Sequence, residues 1–316
     1  MKPGPDPTTI YRIARCYYKD GLGQDDIAKR EGFSRSQVSR LLDKAKEMGM
    51  VRIELVPPSD PHLEELAAGI EKGLGLKHLI ITPVGAVTDD ITISKAIATA
   101  AVDYIPSAIA DCKVIGIGWG RTVYIASEQL QYRATKGDQQ FVPLTGISGN
   151  ENPNLQINTI IDRFSTKFKA RGLFINSPAV REKGTPLTHI EQERILKLRE
   201  FWSTLDVAII GLGAPPGKSG DLITELSASY RQKLNASSVC GDILGQFFYE
   251  DGSLFVEDKA YEQLAFCLEG LKSLRKVICL AGGKEKIEGI RAAARARYIT
   301  DLVTDEMTAR MLAESL

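Results

Sequence analysis

Residues 24–47 have the sequence QDDIAKREGFSRSQVSRLLDKAKE, which predicts two short amphipathic helices joined by a tight turn. Gly32 suits the end of the first helix, because a residue without a Cβ tolerates a positive φ. Ser34 is placed to cap the second helix, and Gln37 is spaced to complete a capping box. The stretch therefore predicts a helix-turn-helix, with a small core formed by Ile27, Ala28, Phe33, Val38, Leu41 and Leu42.

The outer face of the second helix carries polar and basic side chains at its N-terminal end. Arginine, serine and glutamine in that position can hydrogen-bond base edges in a DNA major groove. The spacing alone fits an ordinary helical hairpin with a solvated face equally well. A predicted helix over 8–19 and an alternating, strand-like stretch over 49–55 favour a winged helix-turn-helix that binds double-stranded DNA. The DNA-binding candidates are Gln24, Ser34, Arg35, Ser36, Gln37, Ser39, Arg40 and Lys44.

The charge of this N-terminal region differs from that of the whole chain. Residues 1–56 hold eleven Lys or Arg against eight Asp or Glu, whereas the complete sequence balances at 40 against 40. Phosphate contacts supply most non-specific DNA affinity, so a surplus of three positive charges predicts weak binding by one head. Several heads joined in an oligomer would supply the missing affinity.

Length and composition set the broad class. A chain of 316 residues that is 43% hydrophobic and 25% charged is typical of a globular protein with about two domains. Five cysteines without CxxC spacing and three dispersed histidines predict no disulfide framework, no metal site and no cofactor. No leader-like segment and no apolar run of about 18 residues is present, so we expect a cytoplasmic protein without a membrane span.

The proline-rich stretch over 57–61 predicts the division between two domains, because consecutive prolines continue neither a helix nor a central strand. We assign 1–56 to the winged helix-turn-helix, 57–61 to the linker, and 62–316 to a second domain. In that domain, apolar strand-like runs alternate with helical patterns, which predicts a parallel, doubly wound, Rossmann-like α/β sheet. The predicted strands are 78–82, 113–116, 140–144, 173–176, 207–210 and 276–281, and the helices are 62–75, 92–105, 121–131, 154–171, 189–201, 258–273 and 284–297.

Ligands of open α/β sheets bind at the carboxyl ends of the strands, where the strand order reverses. The stretch Gly118-Trp119-Gly120-Arg121-Thr122 follows a predicted strand and leads into a helix. Its glycines let backbone amides approach an anion, and the helix N-terminus adds positive potential. The dinucleotide fingerprint and its acidic residue are missing, which argues against NAD and an oxidoreductase. A phosphate on a small molecule fits better, although the same glycines also suit a tight turn.

Three further strand ends carry glycine with polar neighbours. Gly211 ends one apolar strand, Asp242 lies in a glycine-flanked turn, and Lys286 follows the Gly282-Gly283 pair. A carboxylate there can accept hydrogen bonds from sugar hydroxyls, and a lysine can bind a phosphate oxygen; a helix N-cap and a solvated lysine are the simpler alternatives. At the edge of one sheet, these stretches together predict a pocket for a polyol phosphate.

The chain resembles the SorC-type family of bacterial sugar-responsive transcriptional regulators over nearly its whole length. The resemblance is carried by 17–18, 24–28, 34–42 and 49–53 in the head, and by 118–122, 154–158, 177–179, 241–245, 281–283 and 298–306 beyond it. It implies an effector domain related in fold to sugar-phosphate isomerases and deaminases. It also implies control by a phosphorylated sugar, and a homotetramer built as a dimer of dimers.

By position, the resemblance implies that the phosphate is held by Gly118, Gly120, Arg121 and Thr122, and that Gln156 lines the pocket. It also implies that Asp242 contacts the sugar hydroxyls and that Lys286 contacts a phosphate or sugar oxygen. Thr145 stands where some relatives have arginine, which favours a singly phosphorylated effector over a bisphosphate. The effector-binding candidates are Gly118, Trp119, Gly120, Arg121, Thr122, Thr145, Gln156, Gly211, Asp242 and Lys286.

These observations predict a DNA-binding regulator of carbohydrate metabolism genes that is controlled by a phosphorylated sugar or polyol. The alternative is an enzyme, a sugar-phosphate isomerase or deaminase with an appended DNA-binding head. An enzyme needs a general base on its substrate, and Asp242 is the best candidate for that role.

Overall fold

A computed structural model describes residues 6–51, 60–85, 89–132, 138–148, 153–218, 228–255 and 261–316. The chain divides into two compact units, Met1–Ser59 and Asp60–Leu316. The division falls within the linker predicted over 57–61, whose first three residues lie outside the described ranges.

In the first unit, the described residues form three helices: α1 Pro7–Tyr18, α2 Gln24–Glu31 and α3 Arg35–Glu47. Gly32 ends α2 with a φ of 72°, and Ser34 caps α3 in a capping box with Gln37, so the predicted turn is confirmed. The predicted core is confirmed except that Phe33 is only partly buried. Residues 52–55 of the predicted wing lie outside the described residues.

The second unit is built on a seven-stranded parallel sheet. Its strands are β1 His78–Thr82, β2 Val114–Ile117, β3 Gln140–Pro143, β4 Arg171–Gly172, β6 Val207–Gly211, β10 Lys276–Leu280 and β11 Asp301–Asp305. Their order in the sheet is β1-β11-β10-β6-β2-β3-β4. The helices are α4 Pro61–Leu74, α5 Asp90–Ala108, α6 Arg121–Gln129, α7 Ile157–Phe168, α8 His189–Trp202, α9 Ala228–Ala236, α10 Leu268–Leu271, α11 Ile287–Arg295 and α12 Glu306–Glu314.

Both faces of the sheet are buried in apolar cores. Successive residues of a strand point to opposite faces, so one strand contributes side chains to both cores. Ala208 and Ile210 of β6 belong to one buried core, while Val207 and Ile209 belong to another. The predicted doubly wound α/β fold is therefore confirmed. From β2 the chain steps outward to β3 and β4; it then returns to β6 on the other side of β2 and continues to β10 and β11. The strand order thus reverses between β2 and β6. The predicted glycine stretch over 118–122 follows β2 at this point.

Two small antiparallel ribbons accompany the sheet. One pairs β5 Val180–Glu182 with β9 Tyr261–Gln263, and the other pairs β7 Gly241–Ile243 with β8 Gln246–Phe248. An isolated bridge joins Gly213, just after β6, to Asp242 of β7. The β7–β8 ribbon is therefore fixed to the carboxyl end of the main sheet.

Two predictions of local structure are wrong, and one strand of the main sheet was missed. The strand predicted over 173–176 is replaced by the two-residue strand β4 just before it. The helix predicted over 258–273 contains strand β9 and only the short helix α10 among its described residues. Strand β11 was not predicted, although it is buried along its whole length. No helix in the described residues is long and apolar enough to cross a membrane.

The start of β2 depends on one carboxylate. Asp206, just before β6, accepts hydrogen bonds from the backbone N–H groups of Lys113 at 2.7 Å and Val114 at 2.9 Å. These contacts tie together the two strands between which the order reverses.

Asp206→Ala should leave both N–H groups without their acceptor and lower the free energy of unfolding of the second unit by about 1–3 kcal/mol. Both tryptophans, Trp119 and Trp202, lie in this unit, so urea unfolding followed by tryptophan fluorescence reports on it alone. Asp111→Ala, at an exposed aspartate beside the same strand, is the control. Equal unfolding midpoints for the two variants would contradict this role of Asp206.

Candidate functional site

A cavity of about 350 Å³ opens at the carboxyl ends of the central strands. The segments after β2, β6 and β10 form its walls together with the β7–β8 ribbon and the start of α5. Its polar and glycine lining comes from Asp90, Ser94, Gly120, Arg121, Thr122, Ser148, Gly211, Gly213, Lys218, Asp242, Gly282, Gly283, Glu285 and Lys286, and its apolar lining includes Trp119, Leu155, Leu212, Leu244 and Phe247. The glycine-bearing strand ends thus meet around one pocket.

The N-terminus of α6 forms one wall of this pocket. Gly120 is the N-cap residue, with a φ of 132°, and no side chain of the described residues caps the helix. The backbone conformation of Gly120 strains any residue with a Cβ, which explains glycine here. Arg121 and Thr122 begin the helix and also line the pocket. The first N–H groups of a helix lack intrahelical acceptors and carry a partial positive charge, so this wall suits an anion.

Gly118 is not among the lining residues. A Cβ on Gly118 would lie 2.9 Å from the Leu244 side chain, and Leu244 does line the pocket. Gly118 therefore makes room for a neighbour that forms the wall. For Gly118, this packing role agrees with the simpler interpretation, in which glycine is needed for steric reasons and not for anion binding.

Asp242 lies in the opposite wall, on β7. The Gly213 N–H donates to the Asp242 carbonyl at 2.9 Å, and a Cβ on Gly213 would clash with the Asp242 carboxylate. The Gly245 N–H donates to Asp242 Oδ2 at 3.1 Å. Burial raises the pKa of Asp242 from 3.8 to about 6, despite the opposing effects of the Gly245 N–H and Lys286. This carboxyl group is therefore held at a fixed place and is ready to accept hydrogen bonds from hydroxyls.

Lys286 completes the set of predicted polar groups. It ends a single 3₁₀ turn, Lys284–Lys286, that follows β10 and begins after Gly283, whose φ is 105°. Burial lowers the pKa of Lys286, although Asp242 and Asp90 act to raise it. A bound anion would stabilise the charged ammonium group here, because it would replace the water that burial has removed.

Several lining residues were not predicted as site residues. Lys218 Nζ donates to Glu285 Oε2 at 2.5 Å, which joins the segment after β6 to the turn after β10 at the pocket. Asp90 opens α5, the helix that follows β1. The position of Asp90, at a helix start after a strand, could be predicted from the sequence. The Lys218–Glu285 ion pair could not, because its residues lie 67 positions apart.

Besides Gly118, two predicted effector residues do not line the pocket. Thr145 is 1% exposed and pairs with Ala265 in an isolated bridge. Gln156 Nε2 donates to the Ser148 carbonyl at 2.9 Å, and Ser148 does line the pocket. Gln156 therefore supports the wall from behind. The lining does include the other predicted residues, namely Trp119, Gly120, Arg121, Thr122, Gly211, Asp242 and Lys286.

In the first unit, most of the predicted DNA-binding residues lie in the N-terminal half of α3 or at its cap, whereas Gln24 begins α2 and Lys44 lies in the last turn of α3. The Arg35 side chain is 70% exposed and lies 3.7 Å from Asp25, while Arg40 Nε donates to the Ser36 carbonyl at 3.3 Å. The Gln37 side-chain oxygen accepts the Ser34 N–H at 2.8 Å, so this part of Gln37 is used by the capping box. Ser34, Ser36 and Lys44 are exposed, and Gln24 and Ser39 are half-buried.

The chain is similar to known proteins over nearly its whole length. Residues 61–314 match the family model described as "Putative sugar-binding domain". The sorbitol operon regulator of Klebsiella pneumoniae is 28% identical over 315 residues, 99% of each chain. The deoxyribonucleoside regulator of Bacillus subtilis (strain 168) is 26% identical over 308 residues, 96% of each chain. The crystal structure of the full-length Klebsiella sorbitol operon regulator, SorC, has a TM-score of 0.72 at 27% identity and covers 97% of this chain and 98% of that one.

The raised pKa of Asp242 predicts a pH-dependent stability difference. Between pH 3.8 and about 6, an unfolded carboxyl loses its proton while the folded one keeps it, so folding becomes less favourable as pH rises. Asp242→Asn stays neutral and should exceed the wild type in free energy of unfolding by about 3 kcal/mol at pH 7.5, a gap that closes towards pH 4. Urea titrations at both pH values measure it.

Asp251→Asn is the matched control for this measurement. Hydrogen bonds from Ser253 lower the pKa of Asp251, so its substitution should have the opposite sign, with destabilisation at neutral pH that fades in acid. A gap for Asp242→Asn that does not change between the two pH values would show that burial does not raise the pKa of Asp242.

Proposed function

The chain belongs to the SorC-type family of sugar-binding transcriptional regulators, and on that premise we propose that a phosphorylated sugar or polyol controls its binding to operator DNA. The observation that carries this proposal is the pocket at the point where the strand order reverses. There an uncapped helix N-terminus lies in one cavity with Lys286 and Asp242. The chain regulates genes of carbohydrate metabolism, as do the regulators it resembles.

The pocket offers complementary partners for both parts of such an effector. The first N–H groups of α6, the Thr122 hydroxyl and the Lys286 ammonium group suit a phosphate. Asp242 and Asp90 suit the hydroxyls of a sugar or polyol. Lys218 is paired with Glu285, and Thr145 supplies no charge and does not line the pocket, which supports a singly phosphorylated effector over a bisphosphate.

Control by the effector requires two arrangements of the protein with different affinities for it, because a ligand shifts an equilibrium only by that difference. We infer that the protein acts as a homotetramer, a dimer of dimers, in the cytoplasm. The effector would then alter the spacing or freedom of the DNA-binding heads. Linked heads also compensate for the small positive surplus of each head.

Arg35→Ala and Arg40→Ala should each weaken DNA binding about tenfold or more, because each removes a charged donor from the exposed face at the start of α3. The measurement is fluorescence anisotropy with a duplex that the wild-type protein selects from a random-sequence pool. Lys19→Ala removes an exposed positive charge at the end of α1 and is the control. Unchanged affinity in both arginine variants would exclude α3 as the recognition helix.

Thr122→Ala and Lys286→Ala should weaken effector binding about tenfold or more and leave DNA binding unchanged, since each removes a donor to the phosphate. Calorimetry against a panel of sugar and polyol phosphates measures this. Lys284→Ala is the matched control, because Lys284 is exposed, lies two residues from Lys286 and does not line the pocket.

Two results of these titrations would overturn parts of the proposal. Tighter binding of a sugar bisphosphate than of every monophosphate would contradict the singly phosphorylated effector. Turnover of a sugar phosphate that disappears in Asp242→Asn would favour the alternative, an isomerase or deaminase in which Asp242 is the general base.

A further inference from the structure

A second cavity, of about 320 Å³, lies in the second unit between α8 and the β5–β9 ribbon. It shares no lining residue with the pocket at the carboxyl ends of the strands. Cavities of this size hold small organic ligands. We refer to it as the α8 groove.

One wall of the α8 groove is a stripe along helix α8. Gln192, Ile195, Leu196 and Arg199 follow one another at steps of three, one and three residues, which places them on the same helix face. Leu196 is 59% exposed although it is a large apolar residue. The remaining apolar lining is Pro178, Leu187 and Leu264. The groove thus has apolar walls with polar groups set among them.

The opposite wall contains buried donors without acceptors. Ser177 is 2% exposed, and its hydroxyl makes no hydrogen bond within the described part of the chain. Arg181 Nη2 bonds the Glu262 carboxylate across the ribbon, whereas the buried Arg181 Nη1 has no partner among the described residues. Buried donors in native proteins almost always have acceptors. Both residues line the groove, so a ligand oxygen there would satisfy them.

The charges of the lining favour an anion with a single charge. Two guanidinium groups, those of Arg181 and Arg199, face one carboxylate, that of Glu262. Glu191 also acts on Arg181, but its carboxylate is bonded to the Thr188 N–H and hydroxyl and does not line the groove. A planar carboxylate matches the geometry of a guanidinium group.

We propose that the α8 groove is a second ligand site, which binds a monocarboxylate carrying a short apolar chain. The carboxylate lies against Arg199, Ser177 and Arg181, and the chain lies against the apolar side chains of α8. This site is independent of the proposed function of the first pocket.

The test uses hexanoate as the probe and hexan-1-ol, which has a chain of the same length without the carboxylate, as the control ligand. In ligand-detected NMR titrations of the full chain, hexanoate should bind saturably and at least about tenfold tighter than the alcohol. Arg199→Gln should weaken hexanoate binding about tenfold, and Ser177→Ala several-fold. Lys197→Gln, on the same helix but outside the groove, should leave the affinity unchanged. Lys286→Ala, in the other pocket, should also leave it unchanged.

Three results would overturn the proposal. One is the absence of saturable hexanoate binding to a wild-type protein that unfolds normally by tryptophan fluorescence. Another is hexanoate binding that survives both groove substitutions or is lost in Lys286→Ala, since the ligand would then lie elsewhere. The third is a change in oligomer mass in Arg199→Gln, measured by sedimentation, together with no hexanoate binding to the wild type. That pair of results would assign the groove to a contact between copies of the chain.

Discussion

The pocket at the carboxyl ends of the strands depends on the close approach of two backbone segments, at Gly213 and Asp242. The Gly213 N–H donates to the Asp242 carbonyl at 2.9 Å, and the missing Cβ of Gly213 leaves space for the carboxylate. This contact fixes the β7–β8 ribbon to the end of β6. The ribbon turns through Leu244 and Gly245, both with positive φ, and Leu244 then fills the space beside Gly118. One backbone contact therefore positions a carboxylate and part of the apolar wall together.

The topology of the sheet forms the other wall of the site. Because the strand order reverses between β2 and β6, the segments that follow these strands diverge and leave a crevice between them. Helix α6 starts at that crevice without a side-chain cap, which leaves its N-terminal N–H groups available to an anion. A parallel sheet places helix N-termini and strand carboxyl ends at the same edge, so the binding groups follow from topology more than from any single side chain.

Much of this arrangement could be predicted from the sequence, because buried parallel strands are continuous apolar runs that end at glycines. Strand β11 was missed because it begins with Asp301 and ends with Asp305, and aspartate is depleted in strands. The structure accounts for the two aspartates: Asp301 accepts hydrogen bonds from Tyr104 and Thr300, and Asp305 caps α12. The Lys218–Glu285 pair and the wall-forming role of Gly118 were not predictable either, since both depend on residues far apart in sequence.

The charges of the pocket bear on which anions it would select. Among its described lining residues, three cations face three carboxylates: Arg121, Lys218 and Lys286 against Asp90, Asp242 and Glu285. A lining without net charge attracts anions weakly over long range. Inorganic phosphate would satisfy the helix N-terminus and Lys286 but supply no hydroxyl donors to Asp242 and Asp90. A sugar phosphate would satisfy both sides, because its hydroxyls donate to the carboxylates. The pocket would therefore select a sugar phosphate over inorganic phosphate through polar groups that only the sugar phosphate can pair. Other binding sites reject the wrong ligand in the same way, because it leaves buried polar groups unpaired.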